Sequence, residues 1–291
     1  MRQLKHQSGF TLVEIIIVIS IMGIIGGLSA LIIGRSLDSY AALERREDLQ
    51  SSVRLAVERI SRELRHALPH SICVHDGTSC VSTAKNRFYF VPVKAMGRYQ
   101  DRPGVYTAPP PIQRDRLPVS PLSRDRFDVL STNAANPLTA AANDWVVVYN
   151  INNSDIYTGI NNVRKRLTVI VQKDIQNDGD ATNNIDQIQF GTNVSFANHS
   201  PSRRFFIIDN TRQATLFYLN GTNLYRDTTL FAAPNTPTGN TRLLMENVQS
   251  CTFTYTPGSQ QRAGLLRIDI TVAQQGEKIQ VIHEAHVYNT P

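Results

Sequence analysis

The sequence lacks the short motifs that identify several large enzyme classes. Its 291 residues contain no Gly-x-Ser-x-Gly elbow, no phosphate-binding loop and no His-Glu-x-x-His pair. It also lacks any run of basic residues interleaved with aromatic ones, and its formal net charge of +6 is spread along the chain. We therefore expect no enzymatic activity, no cofactor and no nucleic-acid partner.

Cysteine is scarce, and a total of three fits a protein of an oxidising compartment. Cys73 and Cys80 enclose a turn-rich loop, so we predict a disulfide between them. Cys251 lies in an alternating segment and is expected to face a sheet core, although a bridge from it to one of the other two stays open. Zinc is the alternative, with ligands from the set His66, His70, Cys73, His75 and Cys80.

Charge is absent from residues 15–33, a run of 19 residues. As a helix this run spans roughly 28 Å, which is the thickness of a bilayer core. Glu14 stands immediately before it. Because a carboxylate at the edge of a bilayer costs on the order of a few kcal/mol, its presence indicates a function and requires a partner.

A short basic leader, residues 1–9, precedes this run and is followed by Phe10-Thr11-Leu12-Val13-Glu14. The segment resembles the type IV prepilin signal. The resemblance implies that prepilin peptidase cuts between Gly9 and Phe10 and that the new amine of Phe10 is N-methylated. Because this cut precedes the apolar run, the membrane helix is retained, unlike a secretory signal. Glu14 can then pair with the Phe10 ammonium of its own chain or of a neighbouring subunit; a tolerated interfacial glutamate is the alternative.

Basic residues lie mostly on one side of the apolar run. Arg2 and Lys5 precede it, and Arg35 follows it closely. The positive-inside rule therefore predicts a single-pass inner-membrane protein with a cytoplasmic amino terminus and a periplasmic carboxyl-terminal domain. The resemblance adds a later location in a pilus fibre or at its tip.

The helical pattern continues beyond the membrane. Apolar residues recur at intervals of three and four and form one stripe: Leu49, Val53, Val57, Ile60, Leu64 and Leu68. Pro69 is expected to end this helix. The predicted organisation is a leader over residues 1–9, a transmembrane helix half over 10–34, an amphipathic half over 35–69 and a periplasmic β-rich domain over 70–291.

Beyond Pro69 the apolar residues alternate with a period of two, which is typical of β-strands. Short connections favour antiparallel sheets, so we expect an α+β protein with a pilin-like fold, a long helix packed on largely antiparallel sheets. Asn220-Gly221 predicts a hairpin turn, and the proline-rich residues 103–121 predict an extended surface loop. The predicted strands are Arg87–Val93, Asp144–Asn150, Arg166–Gln172, Ile185–Phe190, Arg203–Ile208, Ala214–Leu219, Cys251–Tyr255, Leu265–Ala273 and Lys278–Tyr288.

The carboxyl-terminal third resembles a subgroup of the same family. Residues 243–248, 253–255, 266–272 and 286–291 are similar to the closing strands of minor pilins, which include W-type minor pilins and the J-type pseudopilins of type II secretion. The overall pattern is most similar to the O-type minor pilin of the mannose-sensitive haemagglutinin (MSHA) pilus.

This similarity implies a minor pilin that takes part in pilus assembly or priming. Its partners would be prepilin peptidase, other major and minor pilins, the inner-membrane assembly platform and membrane lipid. A tip-displayed adhesin or binding subunit is the first alternative to this role. A J-type pseudopilin of type II secretion is the second.

An acidic loop contains weak calcium candidates, Asp174, Asp178 and Asp180. Ile185 occupies the last position of the calcium-loop pattern, where a bidentate glutamate belongs. A solvated turn is therefore the simpler interpretation of this loop.

Overall fold

The computed structural model describes residues 11–102, 104–106, 112–130, 137–174, 184–211, 213–258 and 262–287. Its helices are α1 (Leu12–Leu64) and the short α2 (Asn153–Tyr157), with a 3-10 turn at Ile160–Asn162. Its strands are β1 (Cys73–Val74), β2 (Arg87–Phe90), β3 (Ala95–Arg98), β4 (Gly104–Tyr106), β5 (Ile112–Arg114), β6 (Arg124–Asp128), β7 (Trp145–Val147), β8 (Arg164–Arg166), β9 (Val169–Lys173), β10 (Ile185–Val194), β11 (Arg204–Ile208), β12 (Gln213–Asn220), β13 (Asn223–Leu230), β14 (Arg242–Met245), β15 (Val248–Thr256), β16 (Gly264–Gln274) and β17 (Glu277–Val287).

The fold is α+β, with one long helix and antiparallel sheets, as expected from the sequence. Two sheets pack near α1 and have the strand orders β1-β2-β12-β13-β14 and β15-β16-β17. Two further sheets have the orders β6-β10-β9 and β3-β11-β7-β8, and β4 pairs with β5 as a hairpin. Each of these strand pairs is antiparallel.

The apolar stripe of α1 is the wall of the first hydrophobic core. Its helical members, Leu49, Val53, Ala56, Val57, Ile60 and Leu64, are buried against the sheets beside them. Aromatic side chains fill the opposite wall: the ring centroids of Phe88 and Phe253 are 4.6 Å apart, and those of Phe88 and Phe217 are 5.2 Å apart. This set of residues is called the helix core.

A second core lies within residues 91–212. Its members are Tyr99, Leu117, Val119, Phe127, Val129, Leu138, Val146, Val148, Leu167, Ile188, Phe190, Phe196, Phe205 and Ile207. The chain enters this region after β2 and leaves it before β12, yet these two strands are hydrogen-bonded neighbours in one sheet. Residues 91–212 are therefore a lobe inserted between adjacent strands, called the second lobe.

A middle cluster joins the two cores. Strands β7 and β11 direct alternate side chains to opposite faces: Phe205 lies in the second core, and its neighbour Phe206 lies in the middle cluster. Leu68, just beyond α1, and Phe231, just beyond β13, complete the cluster from the other side. The second lobe is thus packed on the rest of the protein and is not merely tethered to it.

The predicted end of the long helix is wrong, because α1 ends at Leu64 and not at Pro69. The backbone of the next residues pairs with the chain that follows β2. The N–H of Leu68 donates to the carbonyl of Val91 at 2.8 Å, and the N–H of Val93 donates to the carbonyl of His66 at 2.7 Å. This strand-like pairing ends the helix before the proline can.

Several predicted strand boundaries are also wrong. The strand expected over 87–93 stops at Phe90, because the residues after it pair with the end of the helical segment. The strand expected over 144–150 is limited to Trp145–Val147, and Tyr149 has φ of +51°. The strand expected over 166–172 is divided, because the N–H of Leu167 donates to Asp144 and that of Thr168 to Gln189. Strands β3, β4, β5, β6, β13 and β14 were not in the predicted set.

The proline-rich segment is more than a surface loop. It contains the hairpin of β4 and β5, and both Leu117 and Val119 are buried in the second core. Its prolines at 109–111 lie outside the described residues. The predicted hairpin between β12 and β13 is confirmed with a shift of one position, because Asn220 pairs with Asn223 and Gly221 occupies the left-handed position at φ of +60°.

Candidate functional site

The first described residues form a capped helix start. Thr11 has an extended backbone, and its Oγ1 accepts the N–H of Glu14 at 3.3 Å. Thr11 is therefore the N-cap of α1, and Glu14 lies in the first turn, where a carboxylate interacts favourably with the helix dipole. The predicted cleavage and methylation residues, Gly9 and Phe10, lie outside the described residues.

Thr11 was missed as a functional residue. A threonine three residues before a glutamate, at the start of an apolar run, is the signal that identifies such a cap. The cap fixes the backbone at Glu14, so the carboxylate has a defined position one turn from the end of the helix.

The amino-terminal part of α1 is long and apolar enough to cross a membrane. Its large apolar side chains from Leu12 to Ile33 are exposed, whereas those of the carboxyl-terminal part are buried in the helix core. The two hydroxyl groups that follow Glu14 within or beside this segment are satisfied locally, because Ser20 donates to the carbonyl of Ile16 at 2.7 Å and Ser36 to that of Ile32 at 2.9 Å. The exposed apolar surface is thus suited to lipid or to the helices of other subunits.

Polar contacts fix the other half of α1 to the sheets. Glu63 accepts from Arg226 of β13 at 3.1 Å and from Arg59 of its own helix at 3.3 Å. Ser61 hydrogen-bonds Nε2 of His283 on β17 at 3.0 Å. These contacts orient the helix relative to both sheets of the helix core.

The Cys73–Cys80 disulfide is confirmed, with Cα atoms 5.3 Å apart. A tight turn closes the loop, because Oδ1 of Asp76 accepts the N–H groups of Thr78 and Ser79, both at 2.8 Å. These backbone donors, that of Ser79 first, lower the pKa of Asp76. The bridge to Cys251 is wrong, since that thiol is free and buried in the helix core, and burial raises its pKa.

The zinc alternative is wrong for a chemical reason: the sulfur atoms of Cys73 and Cys80 are bonded to each other and cannot act as thiolate ligands. Within the described residues, no group of three His, Cys, Asp or Glu side chains is arranged to hold a metal ion. Of the calcium candidates, Asp174 follows β9 directly, whereas Asp178 and Asp180 lie outside the described residues.

Comparison with known proteins bears on this same end of the chain. Residues 4–30 match the family model described as the prokaryotic N-terminal methylation motif. The amino-terminal segment is type IV pilin-like. This match supports a protein that is processed by prepilin peptidase and assembles with pilins, and together with the apolar helix it fits an inner-membrane anchor. No curated protein and no solved structure is significantly similar to the chain.

Proposed function

We propose that this protein is a minor pilin of an MSHA-like type IV pilus. Prepilin peptidase cuts it between Gly9 and Phe10, the amine of Phe10 is methylated, and the mature subunit takes part in assembly or priming of the fibre. The single observation that supports this role is the division of α1. Its first part is apolar and exposed beside the methylation motif, and its second part is buried against the sheets.

In this proposal the membrane helix is the assembly element and the chain has no catalytic role. The amino terminus lies in the cytoplasm, the sheets lie in the periplasm, and the subunit later enters the fibre. Its partners are other pilins and the inner-membrane assembly platform. Glu14 neutralises the Phe10 ammonium of a neighbouring subunit, which relieves the cost of a charge in an apolar environment.

The experiment on Glu14 separates assembly from folding. Glu14→Gln removes the charge and keeps the shape, while Glu44→Gln removes a carboxylate from the exposed part of the same helix. We expect Glu14→Gln to reach the membrane at wild-type level and to be depleted from sheared fibres, whereas Glu44→Gln is recovered like wild type. Equal recovery of both variants in fibres would argue against the charge pair.

Processing is tested separately with Gly9→Val. A side chain at the residue before the cut should prevent access to the peptidase, so the variant should remain at precursor size on gels. Mature-size protein formed at the normal rate would contradict the proposed cleavage site, whatever the role of the mature subunit.

A tip-displayed binding subunit is the second candidate, and the second lobe favours it. This lobe has its own core and is not needed to cover the apolar stripe of α1. Electron microscopy of a deletion strain discriminates the two roles. Loss of fibres supports a priming subunit, and fibres that persist without adhering support a binding subunit.

A further inference from the structure

A cavity of about 430 Å³ opens on the second lobe, between residues 116–122 and the loop that follows β10. Its walls combine apolar side chains with two basic ones, Arg116 and His199. Ligand sites typically have volumes of roughly 300 to 1,000 Å³ and place a few polar groups among apolar ones. The cavity therefore has the size and the mixed character of a small-molecule site.

Backbone hydrogen bonds fix the two walls of this cavity relative to each other. The N–H of Ser120 donates to the carbonyl of Phe196 at 2.9 Å, and the N–H of Phe196 donates to that of Pro118 at 2.8 Å. Leu117 and Val119 direct their side chains into the second core. The wall that contains Arg116 is thus anchored to the wall that contains His199.

Arg116 is half-buried, and within the described part of the chain it makes no side-chain hydrogen bond or ion pair. Neighbouring arginines of the second lobe differ in this respect. Arg203 binds Asp101 at 2.9 Å, and Arg126 binds Asp125 at 2.8 Å. The guanidinium of Arg116 therefore offers unused donors in a fixed fork to whatever enters the cavity.

His199 supplies a second donor. The hydroxyl of Tyr99 accepts the N–H of Ser200 at 2.8 Å and lies 3.4 Å from Nδ1 of His199. Burial raises the pKa of Tyr99 to about 12, so the hydroxyl keeps its proton and can donate it to Nδ1. We therefore assign the proton of neutral His199 to Nε2.

The charge state of His199 follows from its surroundings. Burial lowers its pKa most, Arg116 and Arg203 lower it further, and Asp101 opposes them. The ring is consequently neutral near pH 7, and its Nε2–H, on the edge away from Tyr99, is a donor for the cavity.

We propose that this cavity binds a sugar acid, a ligand of monosaccharide size with one carboxylate. The fork of Arg116 pairs with the carboxylate through two parallel hydrogen bonds, and Nε2–H of His199 adds a third. Pro121 and Leu122 give the apolar face of the sugar ring a surface to pack against. The site lies in the second lobe and does not depend on how the subunit assembles.

A matched pair of sugars tests the proposal. The full chain is purified in a nonionic polyoxyethylene detergent that contains no sugar, and binding is measured by calorimetry. Galacturonate and galactose differ only at the carboxylate carbon. We expect galacturonate to bind and galactose to bind at least about tenfold more weakly, since the charged hydrogen bonds are lost.

Variants separate a specific site from general charge. Arg116→Gln should weaken galacturonate binding about tenfold, while Arg126→Gln, which removes the same charge from the same lobe outside the cavity, should leave it unchanged. Leu122→Trp keeps Arg116 and fills the cavity, so it should abolish binding. Circular dichroism of each variant establishes that it is folded.

Each opposite result would overturn the proposal. These results are equal affinity for galactose, equal affinity for acetate or sulfate, equal weakening by Arg116→Gln and Arg126→Gln, and full affinity in a folded Leu122→Trp variant. Absence of heat from galacturonate at millimolar concentration would also overturn it. None of these results bears on processing or assembly, so failure here is distinct from failure of the minor-pilin role.

Discussion

Leu55 and Leu64 lie nine residues apart on α1 and therefore occupy opposite sides of the helix. Leu55 is 67% exposed, and Leu64 is fully buried in the helix core. Leu64→Ala should lower the free energy of unfolding by about 2 to 5 kcal/mol, because it leaves a cavity. Leu55→Ala is the matched control and should change it by less than about 0.5 kcal/mol.

Denaturant titration of the full chain in detergent, followed by circular dichroism, measures both values. Similar midpoints for the two variants would mean that the stripe of α1 is not the wall of a core.

The ion pair between Glu63 and Arg226 should couple α1 to β13. Both side chains are largely buried, so a double-mutant cycle with alanine at each position should give a coupling of about 1 kcal/mol. The exposed pair Arg54–Glu58 on the same helix is the control, and its coupling should not exceed about 0.5 kcal/mol. A coupling at Glu63 no larger than the control would show that solvent screens this contact as well.

Removal of the Cys73–Cys80 disulfide should destabilise the protein without abolishing its fold. A bridge across a loop this short stabilises by roughly 2 to 3 kcal/mol in the chain-entropy model. Cys73→Ser should therefore lower the denaturation midpoint, and reductant should lower that of wild type and leave the variant unaffected. If reductant shifts both proteins equally, its effect does not arise from this bridge.

Acid should destabilise the fold through buried histidines. Burial lowers the pKa of His70, and the nearby Asp155 opposes this effect only in part. The folded state thus binds its proton later than the unfolded chain, whose histidine pKa is about 6.5. The stability is present above that value and is lost as the pH falls through the folded pKa, at up to about 1.4 kcal/mol per pH unit for one proton.

Urea titrations at pH 7 and pH 5 measure this loss. His70 has φ of +53°, so His70→Asn is the suitable variant, because asparagine tolerates the left-handed region and does not titrate. The variant should lose less stability than wild type between the two pH values. An equal loss would assign the acid sensitivity to other groups, among them His75 and His199, whose pKa values burial also lowers.

The features that local sequence determines were predictable. The uncharged run beside Glu14, the stripe from Leu49 to Leu64 and the loop between Cys73 and Cys80 all depend on residues close together in the chain. Spacing alone therefore identified the membrane segment, the wall of the helix core and the disulfide.

The features that depend on distant residues were not predictable. The helix ends at Leu64 because the backbone near Ala67 meets Pro92, and no local signal reports that pairing. Likewise, Arg116 and His199 are separated by most of the second lobe and meet only because residues 118–120 pair with Phe196. Sequence patterns establish which face of an element is apolar, but they do not identify its partner.

Phe90 and Thr215 are partners across β2 and β12, although the whole second lobe lies between them in the sequence. The two crossings into that lobe are therefore side by side, and its length does not alter the spacing of the strands that support α1. Insertions, deletions and substitutions in the lobe leave the geometry of the anchor unchanged. Evolution can accordingly vary what such a subunit displays to its environment while the surface recognised by neighbouring subunits stays constant.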